Sequence, residues 1–143
     1  VGAIWTVLPM AVLLFMAYPS PCIYLYINAA KGASDYVINV EGHQWYWVYS
    51  GGFGAFDSYM GDGGFRVLDV DNRMVIPVGV GVTALTSSVD VVHSWAVLSL
   101  GVKVDCVPGR LNQAVFDASV SGIYYGQCSE LCGVLHSFMP IVL

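Results

Sequence analysis

Polar positions are almost absent from the first thirty residues and frequent thereafter. The opening run, "VGAIWTVLPMAVLLFMAYPSPCIYLYINAA" (1–30), carries no Lys, Arg, Asp or Glu. It predicts a helix long enough to cross a ~30 Å hydrocarbon layer, which takes about 20 apolar residues. Pro9, Pro19 and Pro21 would disrupt such a helix in water. They are tolerated in a membrane, where neighbouring groups satisfy the carbonyls that proline frees. Trp5 towards one end and Tyr18, Tyr24 and Tyr26 towards the other suit the two membrane interfaces. A cleaved signal is the alternative, but the run is too long for one and lacks a basic start. Lys31 alone is too little to set the orientation of the span.

After residue 30 the pattern becomes one of short β-rich runs separated by glycines. "YVINVEGHQWYWVYS" (36–50), "FRVLDV" (65–70), "MVIPVGVGVTAL" (74–85), "VVHSWAVLSL" (91–100), "NQAVFDAS" (112–119) and "GIYYGQC" (122–128) predict strands. They are rich in Val, Ile, Tyr and Trp and are bounded by turn residues. "SGGFG" (50–54) and "GDGG" (61–64) predict loops, and "NAAKGASD" (28–35) a linker. Short strands at this spacing, with no helical pattern between them, point to a β-sandwich or barrel. The chain therefore divides into a membrane segment, 1–30, and a β-domain, 31–143.

Composition sharpens that division. Hydrophobic residues are 57% of the chain and charged residues only 10%, against about a quarter charged in a soluble domain. Every charge lies between Lys31 and Glu130, so the β-domain carries the whole formal charge of −5. An acidic surface beside a membrane repels nucleic acid and steers basic partners towards it. Plain solubility would call for the same charge.

The candidate chemistry is concentrated in "GQCSELCGVLHSFMP" (126–140), with Cys128, Cys132, His136 and Met139 inside twelve residues. Cys128 and Cys132 could close a loop disulfide, but that says nothing about His136 or Met139. Thiolate, imidazole and thioether are together the soft donors that select copper. A single copper site of the blue type takes two His, one Cys and a weak axial Met, which leaves one cysteine over. Two thiolates can instead bridge two copper ions, each capped by one histidine. The second histidine must then come from elsewhere, and His93, at one end of a predicted strand, is the better placed. His43, among the aromatics of "GHQWYW", reads as structural. Zinc could take Cys128, Cys132, His136 and His93 as a tetrahedral set, but it would leave Met139 unused.

"HSWAV", "PGRLNQ", "YYGQCSELCG" and "HSFMPIVL" resemble subunit II of cytochrome c oxidase, close to its mitochondrial form. "IWTVLP" in the span, "GHQWYW" after it and "VDNRMVIP" in the middle extend the likeness over nearly the whole chain. The resemblance implies a mainly β fold: a cupredoxin-like Greek-key β-barrel or sandwich preceded by one transmembrane α-helix. It implies a binuclear copper centre, CuA, with Cys128 and Cys132 bridging and His93 and His136 terminal. Met139 and the backbone carbonyl of Glu130 would be weaker copper ligands. The Glu130 side chain would hold a magnesium ion at the interface with the catalytic haem-copper subunit I. Trp45 would receive electrons from cytochrome c, with Asp71 and Asp90 steering its docking. The implied partners are cytochrome c, subunit I, other oxidase subunits and membrane lipid, with no nucleic acid. The implied location is the mitochondrial inner membrane, the domain facing the intermembrane space, or the bacterial plasma membrane with the domain on the periplasmic face. The catalytic partner would reduce oxygen and pump protons, while this chain relays electrons. Alternation along "HQWYW" would put Trp45 and Trp47 on one strand face.

The chain also departs from the pattern of that family. It has one predicted span where two are usual, matching the second. Gly2 and Ala3 stand where the family carries a carboxylate before "IWTVLP". "VYSGGFGAFDSYMGDGG" is short and poor in acids, Val89 stands beside Asp90 where a second acid is common, and the sequence stops soon after the ligand loop.

Overall fold

The apolar N-terminal run is helical, as its pattern predicts, but in two pieces: α1 (Gly2–Ala17) and α2 (Pro19–Ala29). These come from a computed structural model that describes residues 1–29, 34–52 and 54–143. Residues 30–33 of the predicted linker and Phe53 of the predicted 50–54 loop thus lie outside the described residues. Pro19 and Pro21 bring no N–H to the helix ladder, which accounts for the interruption at Tyr18. Tyr18 itself keeps right-handed helical angles, φ −71° and ψ −52°. The apolar helix therefore continues from Gly2 to Ile27, 26 residues, or about 39 Å at the α-helical rise. Its polar side chains turn back onto the backbone: Thr6 Oγ1 donates to the Gly2 carbonyl at 2.9 Å and Ser20 Oγ to that of Met16 at 2.6 Å. Such bonds satisfy the hydroxyls of Thr6 and Ser20 within the helix itself.

The rest of the chain forms a separate unit, Ala33–Leu143, while Val1–Gly32 forms the other. Its nine strands, counted among the described residues, are β1 (Tyr36–His43), β2 (Tyr46–Gly51), β3 (Gly54–Ser58), β4 (Gly81–Ser88), β5 (His93–Val97), β6 (Val102–Cys106), β7 (Asn112–Asp117), β8 (Tyr125–Gln127) and β9 (Pro140–Val142). One sheet has the order β3-β2-β1-β4-β7, with β1 and β4 parallel and the other neighbours antiparallel. Two antiparallel pairs, β5-β6 and β8-β9, supply the facing side. The alternation read from the sequence sets the buried face: Ile38 and Val40 in β1, Trp47 and Tyr49 in β2, Val82 and Ala84 in β4. Every residue of β5 is buried, so that strand runs through the middle of the core. The one polar pairing between its large side chains is satisfied, with Trp95 Nε1 donating to Tyr49 Oη at 3.3 Å.

Mainly β architecture behind an apolar helix is what the pattern predicted, yet several strand boundaries differ. The 36–50 run breaks at Gln44–Trp45, a turn between β1 and β2. Residues 65–70 are not a strand. They curl around Asp69, whose carboxylate takes a forked hydrogen bond from the Arg73 guanidinium at 2.8 and 2.9 Å. Only an isolated bridge, Met60–Val70, remains of the alternation there. The 74–85 run becomes a strand only at Gly81 and continues to Ser88. The 91–100 run gives β5 followed by a 3-10 turn over Leu98–Leu100. β3 begins at the last residue of the expected 50–54 loop and runs through a stretch given no strand, and the short β9 also falls in a segment given no strand.

Candidate metal centre

Segment 128–139 connects β8 to β9, and both strands are pinned. Tyr124 and Leu143 exchange main-chain hydrogen bonds at 2.9 Å across their ends. Gly126 approaches β5 so closely that a Cβ there would stand 2.0 Å from the Ala96 carbonyl oxygen. The Ser129 N–H donates to the Ser94 carbonyl at 3.0 Å, drawing the start of the segment onto β5 beside His93. The donors are thus placed by the β-framework and not by the loop alone.

The structure brings together the predicted donors from these two places. Cys128 Sγ lies 3.9 Å from His93 Nδ1 and 3.9 Å from Cys132 Sγ. Cys132 Sγ lies 3.4 Å from His136 Nδ1 and 3.5 Å from Met139 Sδ. The Glu130 carbonyl oxygen stands 3.3 Å from Cys128 Sγ, while the Glu130 side chain faces solvent. The donor atoms of His93, Cys128 and Cys132 all lie within 4.8 Å of one another, and all three residues are buried. The sulfur–sulfur distance is far beyond the ~2.05 Å of a disulfide, and all four cysteines are free thiols. Two facing sulfurs, an imidazole beside each and a thioether suit copper, and a tetrahedral zinc set would not use Met139.

The electrostatics separate the two thiols. Burial pushes the Cys128 thiol up, but His93, the Ser94 and Glu130 main chain and His136 together hold it below the ordinary thiol value. Cys132 is held above that value, by burial first and then by the neighbouring Cys128 charge. For His93, burial works against protonation, but the Cys128 and Asp90 partners outweigh it and raise the imidazole. A thiolate in this pair is thus favoured by the imidazole and main-chain groups around it, and its charge holds the neighbouring thiol back.

A ring of supporting contacts surrounds the donors. Gly42 leaves room for the His93 ring: a Cβ at that position would lie 2.8 Å from His93 Cδ2. Trp47 packs edge-on to His93 with centroids 5.9 Å apart, and its Nε1 donates to the Met139 carbonyl at 3.3 Å. Asp90 Oδ1 accepts from His93 Nε2 at 2.8 Å, and its Oδ2 from the Gln44 N–H at 2.6 Å. Gln44 Nε2 in turn donates to the Cys132 carbonyl at 2.8 Å. No spacing signal marked Gly42 or Gln44, because their partners lie far along the chain.

The remaining predicted residues fall as follows. Trp45 does not share a strand face with Trp47. It lies in the β1–β2 turn, half-buried against the ligand segment, whereas Trp47 is fully buried in β2. A turn interrupts the alternation on which the shared face depended. The Trp45 ring reaches Gly133, where a Cβ would stand 3.0 Å from Cζ2. Its buried Nε1 has no hydrogen-bond partner among the described residues. Asp71 is exposed, and its Oδ1 accepts from the Tyr59 and Asn72 N–H groups at 2.8 and 2.7 Å. His43 stacks on Tyr46 at 4.6 Å, with Nε2 3.5 Å from Glu41.

Fold and donors together define a cupredoxin-like domain with a buried, sulfur-rich cluster of potential metal donors. Residues 36–143 match the family described as cytochrome C oxidase subunit II, periplasmic domain. The chain is 47% identical to cytochrome c oxidase subunit 2 of Albinaria caerulea across 98% of its own length and 66% of that relative's. It belongs to the cytochrome c oxidase subunit II family and spans just under two thirds of the length of that relative. The periplasmic domain of subunit II (CoxB) of Bradyrhizobium japonicum superposes with a TM-score of 0.76 at 45% identity, covering 78% of this chain and 84% of that one. A chain from a heme-copper terminal oxidase dimer, seen by cryo-electron microscopy, shares the fold at 21% identity and a TM-score of 0.57. That likeness covers 98% of this chain and 97% of the other.

Proposed function

We propose that this chain is the electron-entry subunit of a cytochrome c oxidase, taking single electrons from cytochrome c and handing them to the haem of the catalytic subunit. One observation carries the reading: two buried sulfurs 3.9 Å apart, each with an imidazole at its outer side. Cys128 and Cys132 would bridge a pair of copper ions, His93 and His136 would cap them, and Met139 and the Glu130 carbonyl would be the weaker ligands. Copper supplies reversible one-electron exchange, with the charge shared by two ions. The chain's own residues hold the donors in place before loading, and the buried core keeps water from His93, Cys128, Cys132 and Met139. Ligands fixed in this way move little between redox states, which favours electron transfer over substrate chemistry.

The exposed Glu130 carboxylate would hold magnesium where the catalytic subunit docks. Trp45, in contact with the ligand segment at Gly133, would be the entry point for electrons. Asp71 and Asp90 would steer a basic cytochrome, and Asp90 would also orient His93. Around the ligand segment Leu131 and Val134 are 76% and 88% exposed, an apolar rim fit for a protein partner. The 26-residue apolar helix would anchor the domain. We place it in the mitochondrial inner membrane facing the intermembrane space, with the bacterial plasma membrane as the alternative. The test is to load the full chain with copper and record metal content and electron paramagnetic resonance. Two coppers sharing one unpaired electron are expected, and one copper with single-centre hyperfine splitting would overturn the reading.

A further inference from the structure

Gln44 makes two hydrogen bonds that reach opposite ends of the donor cluster. Its side-chain Nε2 donates to the carbonyl of Cys132 at 2.8 Å, across 88 residues of sequence. Its backbone N–H donates to Asp90 Oδ2 at 2.6 Å, and Asp90 Oδ1 accepts from His93 Nε2 at 2.8 Å. The ring closes through the sulfurs: His93 Nδ1 to Cys128 Sγ at 3.9 Å, and Cys128 Sγ to Cys132 Sγ at 3.9 Å. Gln44 is thus a link between the strand that supplies His93 and the loop that supplies both thiols. The neighbouring geometry depends on it as well. Gly133, next to Cys132, has φ +123°, and a Cβ there would stand 3.1 Å from Gln44 Nε2 and 3.0 Å from Trp45 Cζ2. Glycine lets the loop come down onto the Gln44–Trp45 turn.

We propose that Gln44 is a positioning residue that clamps the Cys132 end of the ligand loop to the Asp90–His93 end, and so fixes Trp45 against the metal site. The clamp rests on the two-copper reading for its purpose but not for its existence, since its hydrogen bonds join protein groups only. A neutral amide is the suitable group for this place. It donates to a main-chain oxygen beside a bridging thiolate without adding charge, whereas a carboxylate would repel that oxygen. A shorter Asn would keep the backbone bond to Asp90 but fall short of Cys132.

The test uses the full chain in lipid nanodiscs, copper-free and copper-loaded, with Gln44→Asn, Gln44→Glu and the exposed control Gln113→Glu. In the copper-free chain, amide hydrogen exchange across 128–139 should quicken by about tenfold in both Gln44 variants, as loss of one net hydrogen bond predicts for local opening. The 43–46 turn should quicken with it, while β4 and β7 exchange as in the wild type. In the copper-loaded chain the copper hyperfine splitting should change in both Gln44 variants and stay unchanged in the control. Unchanged exchange over 128–139 would overturn the clamp, as would an equal quickening over the whole domain. If Gln44→Glu does not fold, Gln44→Asn alone decides. A single-copper spectrum from the wild type would defeat the two-copper reading, and the copper-free exchange would still decide the clamp.

Discussion

The proposed metal site depends on residues that carry none of its chemistry. Gly42 is the plainest case. Gly42→Ala would place a methyl 2.8 Å from His93 Cδ2, inside a strand where neither group can withdraw cheaply. We expect the variant to lose roughly 1–3 kcal/mol of stability and to bind copper with an altered absorption spectrum, checked by denaturant unfolding and copper titration. Asp90 acts through His93 in another way. Its carboxylate accepts from four groups: Gln44 N–H, Ser88 Oγ, Val91 N–H and His93 Nε2. Asp90→Ala should weaken copper binding about 10–100-fold, the usual cost of losing a carboxylate behind a metal-bound imidazole. A competition titration against a copper chelator measures it. The donors were legible because their spacing is local, from Cys128 to Met139. Gln44 acquires its role from partners 46 and 88 residues away, and Gly42 from His93, also far along the chain; such contacts leave no mark in spacing. Asp90, though local to Ser88, Val91 and His93, joins the site through Gln44.

Between residues and molecule stand the strands, and here pattern reading succeeds or fails for definite reasons. β1 is a long alternating run in the large sheet, so period and β-propensity agree. β9 is only Pro140–Val142, too short and too apolar for alternation to show. The 65–70 run alternates well but is diverted by the Asp69–Arg73 pair, four residues apart in sequence yet seen only once side chains are placed. β2 carries the most consequential side chain of these elements. Trp47 fills the core under His93 and fixes the Met139 carbonyl by its Nε1. Trp47→Phe would leave that carbonyl unpaired and a small void beside the imidazole. A loss of about 1–3 kcal/mol is expected, read from the unfolding midpoint of the copper-free chain in detergent.

At the scale of the molecule, acid should act on the domain through Asp69. The Arg73 hydrogen bonds, followed by the Val70 N–H, hold this carboxyl below the ordinary value against the opposing effect of burial. Its contribution is therefore complete above the unfolded carboxylate pKa of about 4 and disappears as the pH falls through the lower native value. Thermal midpoints taken between pH 6 and pH 2 should fall at the acid end, and Asp69→Asn should flatten that fall. The complete donor set also requires the fold, because His93 and Cys128 lie 35 residues apart and meet only across packed strands. A metal bound to both acts as a staple absent from the unfolded chain. At a free copper level 100 times its dissociation constant it adds about 2.7 kcal/mol, on the order of ten degrees in midpoint for a domain of this size. Calorimetry with and without copper measures the shift directly. If the donors hold copper as proposed, the lifetime of the chain would become a record of copper supply. A domain left unfilled would open more often, meet proteases more often and be cleared without any dedicated sensor.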